Sequence, residues 1–372
     1  MKKTTWKHAD FFRAMDVWAP KHLAYDWDNV GLQIGSFNAI TSKVLITLDV
    51  TESVVDEAIE KGMNLIIAHH PLLFQPLKQI NMDTPKGRTV QKLIKNDITV
   101  YASHTNLDAA NNGVNDMLAT ELKLTHTTPL VPVYNEKNYK VVIYVPESHI
   151  EKIRQAFAES GAGYIGNYSH CTFQSPGQGT FKPLEGTDPY IGEQDKITYV
   201  DEYKIETIVP ESILSNVVKS ILSAHPYEEP AYDIYPLENK TTNFGIGRIG
   251  NLTEPTTLDS FIKTVKTQFQ LEGIRISGNK DKKIKRVAIL GGSGEKYVSH
   301  AMRKKADVYI TGDMTFHIAQ DAAEMGLTVI DAGHYIEKVM KYYTKQKLAQ
   351  TMELDKDFIE VSEINTDPFQ FV

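Results

Sequence analysis

The sequence has only one cysteine, Cys171, in 372 residues. One thiol cannot form an internal disulfide or build a thiolate zinc site, so a reducing compartment is expected. The chain also lacks any apolar run approaching the roughly 18 residues that a membrane helix needs. Its first stretch, MKKTTWKHADFFRAMDVWAP, is positively charged but has no apolar core of the kind found in secretory signals. These absences predict a soluble, cytoplasmic protein without a membrane partner.

An excess of positive charge is missing as well. Forty lysine and arginine side chains stand against 47 acidic ones, which gives a net charge of −7. Binding along a nucleic-acid backbone is therefore disfavoured, although a local basic cleft stays open, and small molecules are the better expectation. Apolar residues make up 41% and charged residues 23% of the chain, which is typical of globular proteins. At roughly 100 to 200 residues per domain, the length predicts two or three domains.

Two stretches of the chain alternate short apolar strands with helical patterns. In the first, VLITLDV precedes an amphipathic helix, and strands from Leu65 to Ala68 and from Thr99 to Ala102 flank a helix near Arg88 to Lys95. The same pattern returns after about residue 285, where RVAILGG, DVYITGD and LTVIDAG are each followed by a predicted helix, the last from Tyr335. Such alternation indicates a parallel sheet covered on both faces. The expected fold class is α/β.

A different pattern separates these two stretches. YKVVIYVPES at Tyr139 is echoed by YKIETIVPES at Tyr203, and a helical pattern follows each. With the β-prone segments CTFQ and KITYV between the halves, this predicts a ferredoxin-like βαββαβ unit inserted as its own α+β domain. We expect residues 131–236 to form this insert, and residues 1–130 and 237–372 to form one discontinuous α/β core domain.

Two segments of the predicted insert have a distinctive composition. Residues 175–195, SPGQGTFKPLEGTDPYIGEQD, are rich in glycine, proline and charge. They predict an exposed hairpin tip, with a ligand lid as the alternative. In HPYEEPAYDIYPL, the side chains of His225, Glu228 and Glu229 superficially resemble a ligand cluster. The prolines and tyrosines of this segment favour an extended, packed strand, so we assign it a structural role.

Polar side chains follow three of the predicted strands at their carboxyl ends, in the motifs AHHP, SHTNLD and DAGHYIE. Ligands of open α/β sheets bind beyond the carboxyl ends of the strands, so these side chains are the first functional candidates. The set comprises His69, His70, His104, Asp108, His334 and Glu337.

The spacing of these residues suits a pair of metal ions. His334 and Glu337 are three residues apart at the opening of a predicted helix, so both can reach one ion. Adjacent His69 and His70 diverge on an extended backbone and would serve two ions, or one ion and one neighbouring contact. Asp108 and Glu337 could then bridge cations ~3.5 to 4 Å apart, the spacing of two-metal hydrolytic sites.

Two histidines are candidates for catalysis, His104 and His317. Spacing alone leaves His104 open as a further ligand, an orienter of a ligand or a proton carrier. In GDMTFH, Asp313 and His317 follow a strand and can line the same cleft, with a helix-capping aspartate and an exposed histidine as the alternative. The motif GGSGEK offers backbone N–H groups that suit an anion, with a tight glycine turn as the alternative.

Taken in order along the chain, IIAHHPLLF, SHTNLDAANNGVND, GGSGEK, TGDMTFH and DAGHYIEKV resemble the motifs of the toroidal dinuclear-metal proteins known as the GTP cyclohydrolase I type 2 family. The middle of the chain is similar to the PII-like, CutA-like domain that some members carry as an insertion. The resemblance implies two divalent metal ions per subunit and a homohexameric ring whose sites face an inner cavity. The metal ligands that it implies are His69, His70, Asp108, His334 and Glu337. Zinc is the first candidate, with manganese, iron and cobalt open, because imidazole and carboxylate ligands suit all four.

The activity implied by the resemblance is opening of the guanine imidazole ring of GTP with loss of formate. A metal-bound water whose pKa falls toward ~7 would supply the hydroxide that attacks the ring carbon. The first hypothesis is therefore a dinuclear-metal-dependent hydrolase acting on a nucleotide or related small molecule. The alternative is a metal-dependent, ring-shaped regulatory, sensor or adaptor protein that uses the PII-like insert, without turnover.

Overall fold

The computed structural model describes residues 5–355 and 357–372, without the side chains of residues 240–242. The first four residues of the N-terminal stretch discussed above lie outside this range. The chain divides into two compact units: one is formed by Met1–Tyr134 together with Phe244–Val372, and the other is Asn135–Asn243. These divisions fall slightly later in the chain than the sequence-based bounds.

The first unit begins with an alternation of strands and helices. In chain order its elements are α1 His8–Trp18, β1 Gly31–Ile34, β2 Val44–Thr47, α2 Glu52–Glu60, β3 Leu65–Ala68, α3 Pro85–Lys95, β4 Thr99–Ala102, α4 Thr105–Ala109 and α5 Val114–Glu121. Strands β3 and β4 have the bounds that the sequence predicts. Helix α3 begins earlier than predicted, because the Thr84 hydroxyl accepts a hydrogen bond from the Gly87 N–H and Pro85 suits the first helical position.

The second unit has the element order strand, helix, strand, strand, helix, strand. The elements are β5 Thr125–Pro146, α6 Ile150–Glu159, β6 Phe173–Phe181, β7 Thr198–Pro210, α7 Leu214–Ala224 and β8 Tyr232–Thr257, of which β5 and β8 extend into both units. Strand β7 pairs antiparallel with both β5 and β6. The expectation of a hairpin tip over residues 175–195 is therefore wrong for its first part, Ser175 to Phe181. That part is strand despite its glycines and Pro176, because it lies at the edge of the sheet, where proline is tolerated.

The remaining elements return to the first unit. They are α8 Leu258–Phe269, β9 Arg275–Ser277, β10 Lys283–Ser293, α9 Val298–Arg303, β11 Val308–Gly312, α10 Phe316–Glu324, β12 Thr328–Asp331, α11 Val339–Thr351 and β13 Ile359–Val361. A 3₁₀ turn at His334–Lys338 precedes α11, so the α-helix predicted from Tyr335 begins later, at Val339. Among the helices of the described residues, none is long and apolar enough to cross a membrane.

Both sheets in which the first unit takes part contain a block of adjacent parallel strands. One sheet has the order β1-β4-β3-β2-β13, in which β2, β3, β4 and β13 are parallel and β1 is antiparallel. In the other, the strands of this unit follow the order β8-β10-β11-β12-β9, and β10, β11 and β12 are parallel. The mixed α/β fold predicted from the sequence is confirmed.

The central strands of the first unit are buried on both faces. Every residue of β2, β3 and β4 is buried. On one face, Ile66 and its neighbours pack against α2 and α3, whereas Ile67 on the opposite face joins the larger core that includes α1 and α5. Burial on both faces explains why these strands are short, continuous apolar runs. Polar residues can therefore begin only where the strands end, and this requirement concentrates them at the carboxyl edge.

Candidate metal centre

The five residues predicted as metal ligands lie together in the first unit. His69 and His70 directly follow β3, Asp108 lies on α4, and His334 and Glu337 lie on the 3₁₀ turn after β12. In a 3₁₀ helix, side chains at i and i+3 eclipse, which brings His334 and Glu337 onto one face. Together with His104, the five predicted ligands form three groups that could hold a metal ion, and within each group the donor atoms lie within 4.8 Å of one another. The groups are His69, Asp108 and Glu337; His70, His334 and Glu337; and His69, His70 and His104.

The first of these groups contains two buried polar atoms that face each other unbonded. His69 Nε2 and Asp108 Oδ1 are 3.6 Å apart, and neither has a hydrogen-bond partner among the described residues. A buried polar atom without a partner is costly, and native proteins supply that partner with protein, water or an ion. An imidazole nitrogen and a carboxylate oxygen are both ligands of divalent transition metals. The residues present therefore fit a metal ion.

The second group is arranged around Glu337, which is only 2% exposed. Its Oε2 lies 3.2 Å from His70 Nε2 and 3.2 Å from His334 Nε2, and these two nitrogens are 3.3 Å apart. Glu337 belongs to two of the donor groups, whereas Asp108 belongs to one. Glu337 is thus the carboxylate placed to contact ligands of both groups.

Each histidine of the cluster has its other ring nitrogen held by an oxygen acceptor. The Nδ1 contacts are His69 to Ser103 O at 2.9 Å, His70 to Asp49 at 2.7 Å, His334 to Asp313 at 2.6 Å and His104 to Asp28 at 2.9 Å. An acceptor at Nδ1 places the N–H there and leaves the Nε2 lone pair available for a metal ion. The four rings are therefore oriented before any ligand arrives.

Sequence reasoning missed two of these acceptors, Asp28 and Asp49. Asp49 also accepts a hydrogen bond from the Thr366 hydroxyl, and Asp28 accepts two from Thr105. A signal for Asp49 was present, because it stands just beyond the carboxyl end of β2, as the histidines do for β3. Asp28 lies in an irregular loop, where no periodicity marks it.

Burial determines the charge state of the innermost pair. Burial lowers the pKa of His69 to about 3, against the opposing effect of the Glu337 carboxylate. Burial likewise raises the pKa of Asp108 well above its ordinary value, and the negative charge of Glu337 adds to this effect. His69 is thus a neutral imidazole, the form that binds metals.

The second pair of histidines behaves in the opposite way. Although burial acts to lower the pKa of His70, hydrogen bonds to Asp49 and Glu337 raise it to about 10. For His334, burial is likewise outweighed by Glu337 and Asp313, and the pKa is about 9. The metal-free cluster therefore holds protons on His70 and His334, and metal loading must displace them.

An aromatic surface lies beside His104. The ring centroid of His104 is 5.2 Å from that of His69, 5.5 Å from His70, 6.3 Å from Trp27 and 6.4 Å from Phe74. Trp27 is 58% exposed and Phe74 is 48% exposed. The two exposed rings are adjacent, with centroids 5.7 Å apart, and contiguous exposed apolar surface marks a candidate binding site.

His317 does not join the cluster. It is exposed on α10, where its ring contacts Phe316 with centroids 5.3 Å apart. Its predicted partner Asp313 contacts His334 instead, and Thr315, rather than Asp313, is the residue at the N-cap of α10. The catalytic role of His317 stays a prediction that the geometry of the described residues does not support.

The glycines of GGSGEK serve the cluster by being small. Strand β10 continues to Ser293, and the Gly291 N–H donates to the Asn115 side chain. A Cβ on Gly292, where φ is +66°, would lie 2.8 Å from Glu337 Oε1. Glycine at this position therefore lets the backbone approach the Glu337 carboxylate closely.

Comparison with known proteins agrees with the motifs. The model of Duf34/NIF3 (NGG1p interacting factor 3) matches residues 6–368. The chain belongs to this family. A GTP cyclohydrolase 1 type 2 homolog of Halalkalibacterium halodurans is 50% identical over 357 residues, covering 95% of this chain and 96% of the relative. One of Bacillus subtilis is 49% identical over 360 residues, covering 96% of both chains.

A solved structure agrees as well. The Bacillus cereus protein related to NIF3 has a TM-score of 0.92 and 48% identity, with 100% of both chains covered. The resemblance inferred from the five motifs is therefore confirmed, and this Duf34/NIF3 chain has the mixed α/β fold of its relative.

Proposed function

We propose that this Duf34/NIF3 protein is a dinuclear-metal-dependent hydrolase acting on a nucleotide or related small molecule. Opening of the guanine imidazole ring of GTP is the candidate reaction, in agreement with the name of its relatives. The observation that carries the proposal is the pair of buried, unbonded atoms, His69 Nε2 and Asp108 Oδ1, in a cluster that includes Glu337.

The two donor groups that contain Glu337 would each hold one ion, with zinc as the first candidate. His69 and Asp108 would serve one ion, His70 and His334 the other, and Glu337 both. When bound, such ions supply Lewis acidity and lower the pKa of water. The chain itself contributes the ring orientation described above and the neutral His69.

His104 is placed to move a proton. Its Nδ1 is bonded to Asp28, whose side chain is fully buried, so Nε2 is the nitrogen left free beside His69 and His70. A carboxylate at Nδ1 stabilises the imidazolium that forms when Nε2 accepts a proton. His104 therefore acts as the general base and acid of the proposed reaction, with Asp28 positioning it.

The exposed rings of Trp27 and Phe74 favour a planar substrate. Both rings lie within 6.4 Å of the His104 ring, and their centroids are 5.7 Å apart with an angle of 66° between the ring planes. Base–aromatic stacking contributes about 1 to 3 kcal/mol per base and tolerates any purine. A nucleobase stacked there would present its ring to His104.

Several finer expectations accompany this proposal. The strand and helix order of the second unit supports a ferredoxin-like, PII-like insert. We propose a homohexamer without membrane or nucleic-acid partners, and a cytoplasmic location, which the single free Cys171 supports. A sensor or adaptor function without turnover is the second candidate, and the separate cavity of the second unit described below favours it.

The test measures formate release from GTP by zinc- or manganese-loaded protein, beside a nucleotide panel. We expect turnover in the wild type, loss of turnover in Asp108→Ala, and a loss of about 10- to 100-fold with an altered pH profile in Asp28→Asn. Asp259→Asn, at an exposed position of α8, is the matched control and should keep full activity. Absence of turnover on every nucleotide, or equal turnover in Asp108→Ala, would contradict the hydrolase and favour the sensor.

A further inference from the structure

The second unit contains a cavity of about 660 Å³ whose lining residues all belong to that unit. This volume lies within the range of roughly 300 to 1,000 Å³ typical of small-molecule sites. The walls come from strands β6 and β7, from the segment that follows β6, and from the segment around Tyr227 that precedes β8. The metal-centre residues do not contribute to it.

Aromatic rings form one side of this cavity. The Tyr227 ring lies 6.0 Å from Tyr190 and 6.3 Å from Phe181, with interplanar angles of 43° and 54°. The rings are thus inclined around a space rather than stacked on each other. His225 fixes this arrangement, because its Nδ1 accepts the Tyr227 N–H and its Nε2 donates to the Tyr144 carbonyl. His225 thus has a structural role, as predicted, because its two hydrogen bonds hold Tyr227 in place.

Acidic side chains outnumber basic ones in the lining of the cavity, three to two. Its lining includes the carboxylates of Glu202, Glu228 and Glu229, none of which forms an ion pair within the described part of the chain. Each lining lysine lies beside a carboxylate outside the lining, and the Glu206 carboxylate beside Lys204 also pairs with Lys140. Lys182 pairs with Asp195 at 3.2 Å, and Lys204 pairs with Glu206 at 2.7 Å.

The Glu202 carboxylate lies close to the aromatic side. Burial raises the pKa of Tyr227, and the negative charge of Glu202 adds to the effect. Gly179 on the neighbouring strand leaves room for this carboxylate, since a Cβ there would overlap it. Gly179, the second glycine of SPGQGTF, therefore makes room for the Glu202 carboxylate in the cavity wall.

We propose that this cavity binds a small organic cation, an ammonium or guanidinium group on an apolar body. Inclined aromatic rings attract such a cation, and an unpaired carboxylate beside them neutralises it. Pro176, Leu184 and Ile191, which also line the cavity, contact the apolar body. A bare metal ion is a poorer fit, because no group of three metal-ligating side chains converges in the described part of this unit. An anion would face three carboxylates.

The test is calorimetric titration of the full-length protein with choline and with phenethylamine. Each is compared with its uncharged counterpart, 3,3-dimethylbutan-1-ol and 2-phenylethanol, and inorganic phosphate is the anionic probe. We expect at least one of the two cations to bind about tenfold more tightly than its neutral counterpart, and phosphate not to bind. Asp108→Ala should leave this binding unchanged, which separates it from the metal centre.

Variants locate the binding. Glu202→Gln and Tyr227→Leu should each weaken binding of the cation by about tenfold, because the first removes the charge at nearly unchanged volume and the second removes the aromatic ring but keeps an apolar side chain. Glu159→Gln, an exposed carboxylate of α6 outside the cavity, is the matched control and should change affinity less than about twofold. Failure of both cations to bind, binding equal to that of the neutral counterparts, or equal affinity in Glu202→Gln and Glu159→Gln would overturn the proposal.

Discussion

Hydrogen bonds on the far side of each histidine orient the imidazoles of the candidate metal centre. Asp49 holds His70 at 2.7 Å, and Asp28 holds His104 at 2.9 Å. Such a bond fixes both the tautomer and the plane of the imidazole ring. The position of the Nε2 atom that faces the metal site therefore depends on a residue that is not itself a predicted ligand. Single residues distant in sequence therefore determine the geometry in which the motif histidines present their nitrogens.

Two glycines with the same backbone conformation allow the cost of backbone strain to be measured separately from the effect on the metal centre. Gly292 has φ of +66° and faces Glu337 Oε1, whereas Gly62 has φ of +65° and nothing within 4 Å of an added Cβ. Alanine at either position costs about 1 kcal/mol in the left-handed conformation. Only Gly292→Ala also displaces the Glu337 carboxylate, so we expect it alone to weaken zinc binding, by about tenfold or more.

Urea unfolding and competitive zinc titration of the two alanine variants measure these effects. Gly62→Ala should lose stability without losing zinc affinity. Equal zinc affinities in the two variants would show that the approach of Gly292 to Glu337 has no role in the cluster.

The sequence was sufficient to predict that the polar residues directly behind the buried strands lie near one another. His69, His104 and His334 each stand close behind a buried strand, and parallel strands bring such positions to one edge. Asp28 could not be found this way, because it lies 76 residues from His104 in an irregular loop. The exposed position of His317 could not be predicted from the sequence either, because packing decides which face of α10 is covered.

Helix α2 anchors the segment that follows β13. Glu57 on α2 is 8% exposed and accepts hydrogen bonds from the Ser362 hydroxyl and from the Glu363 N–H. The same C-terminal segment continues to Thr366, which donates to Asp49. The Glu57 carboxylate thus holds the segment after β13 in place, and the same segment supports Asp49, the hydrogen-bond partner of His70.

The pH dependence of stability tests this tether. Burial acts to raise the pKa of Glu57, but hydrogen bonds from Glu363, Ser362 and Lys61 lower it below its ordinary value. A carboxyl group with a lowered folded pKa stabilises the fold above its unfolded pKa of ~4.3, and this contribution is lost as the pH falls through the folded pKa. Glu57→Gln should therefore lower the free energy of unfolding by about 1 to 3 kcal/mol at pH 7, and by less at pH 3.

Urea unfolding at both pH values checks this, with Glu60→Gln as the exposed control on the same helix. A Glu57→Gln deficit that is as large at pH 3 as at pH 7 would mean that the ionised form does not stabilise the fold.

Strands were easier to predict than the connections between them. The bounds of β3 and β4 follow from short apolar runs that are buried on both faces. The 3₁₀ turn at His334–Lys338 was predicted as α-helix, because a spacing of three suits both helix types. The part of β6 from Ser175 to Phe181 was predicted as a hairpin tip because glycine and proline favour turns, and proline is tolerated in a strand at a sheet edge.

In the whole chain, the second unit is inserted between two residues of the first unit that both pack against the core of that unit. Tyr134 and Phe244, the last residue before the second unit and the first residue after it, have ring centroids 6.2 Å apart. Neighbouring exit and return points allow an inserted domain to be removed without stretching the remaining chain.

Removal of residues 135–243 tests this organisation. We expect the shortened protein, closed by a short glycine–serine linker, to unfold cooperatively and to keep the metal content of the wild type. The reason is that no residue of 135–243 whose side chain is described takes part in the core of the first unit. Circular dichroism, urea unfolding and metal analysis check the result. Retained nucleotide turnover would favour a hydrolase with an accessory unit, whereas an insoluble or metal-free product would refute the independence of the first unit.

The most direct measurement is the metal content per chain after purification and reloading with zinc or manganese, determined by plasma mass spectrometry. Wild type and the Asp259→Asn control should each hold about two ions, and Asp108→Ala should hold about one or none. No bound metal in the wild type after reloading, or an unchanged content in Asp108→Ala, would contradict the assignment of this cluster as a metal centre.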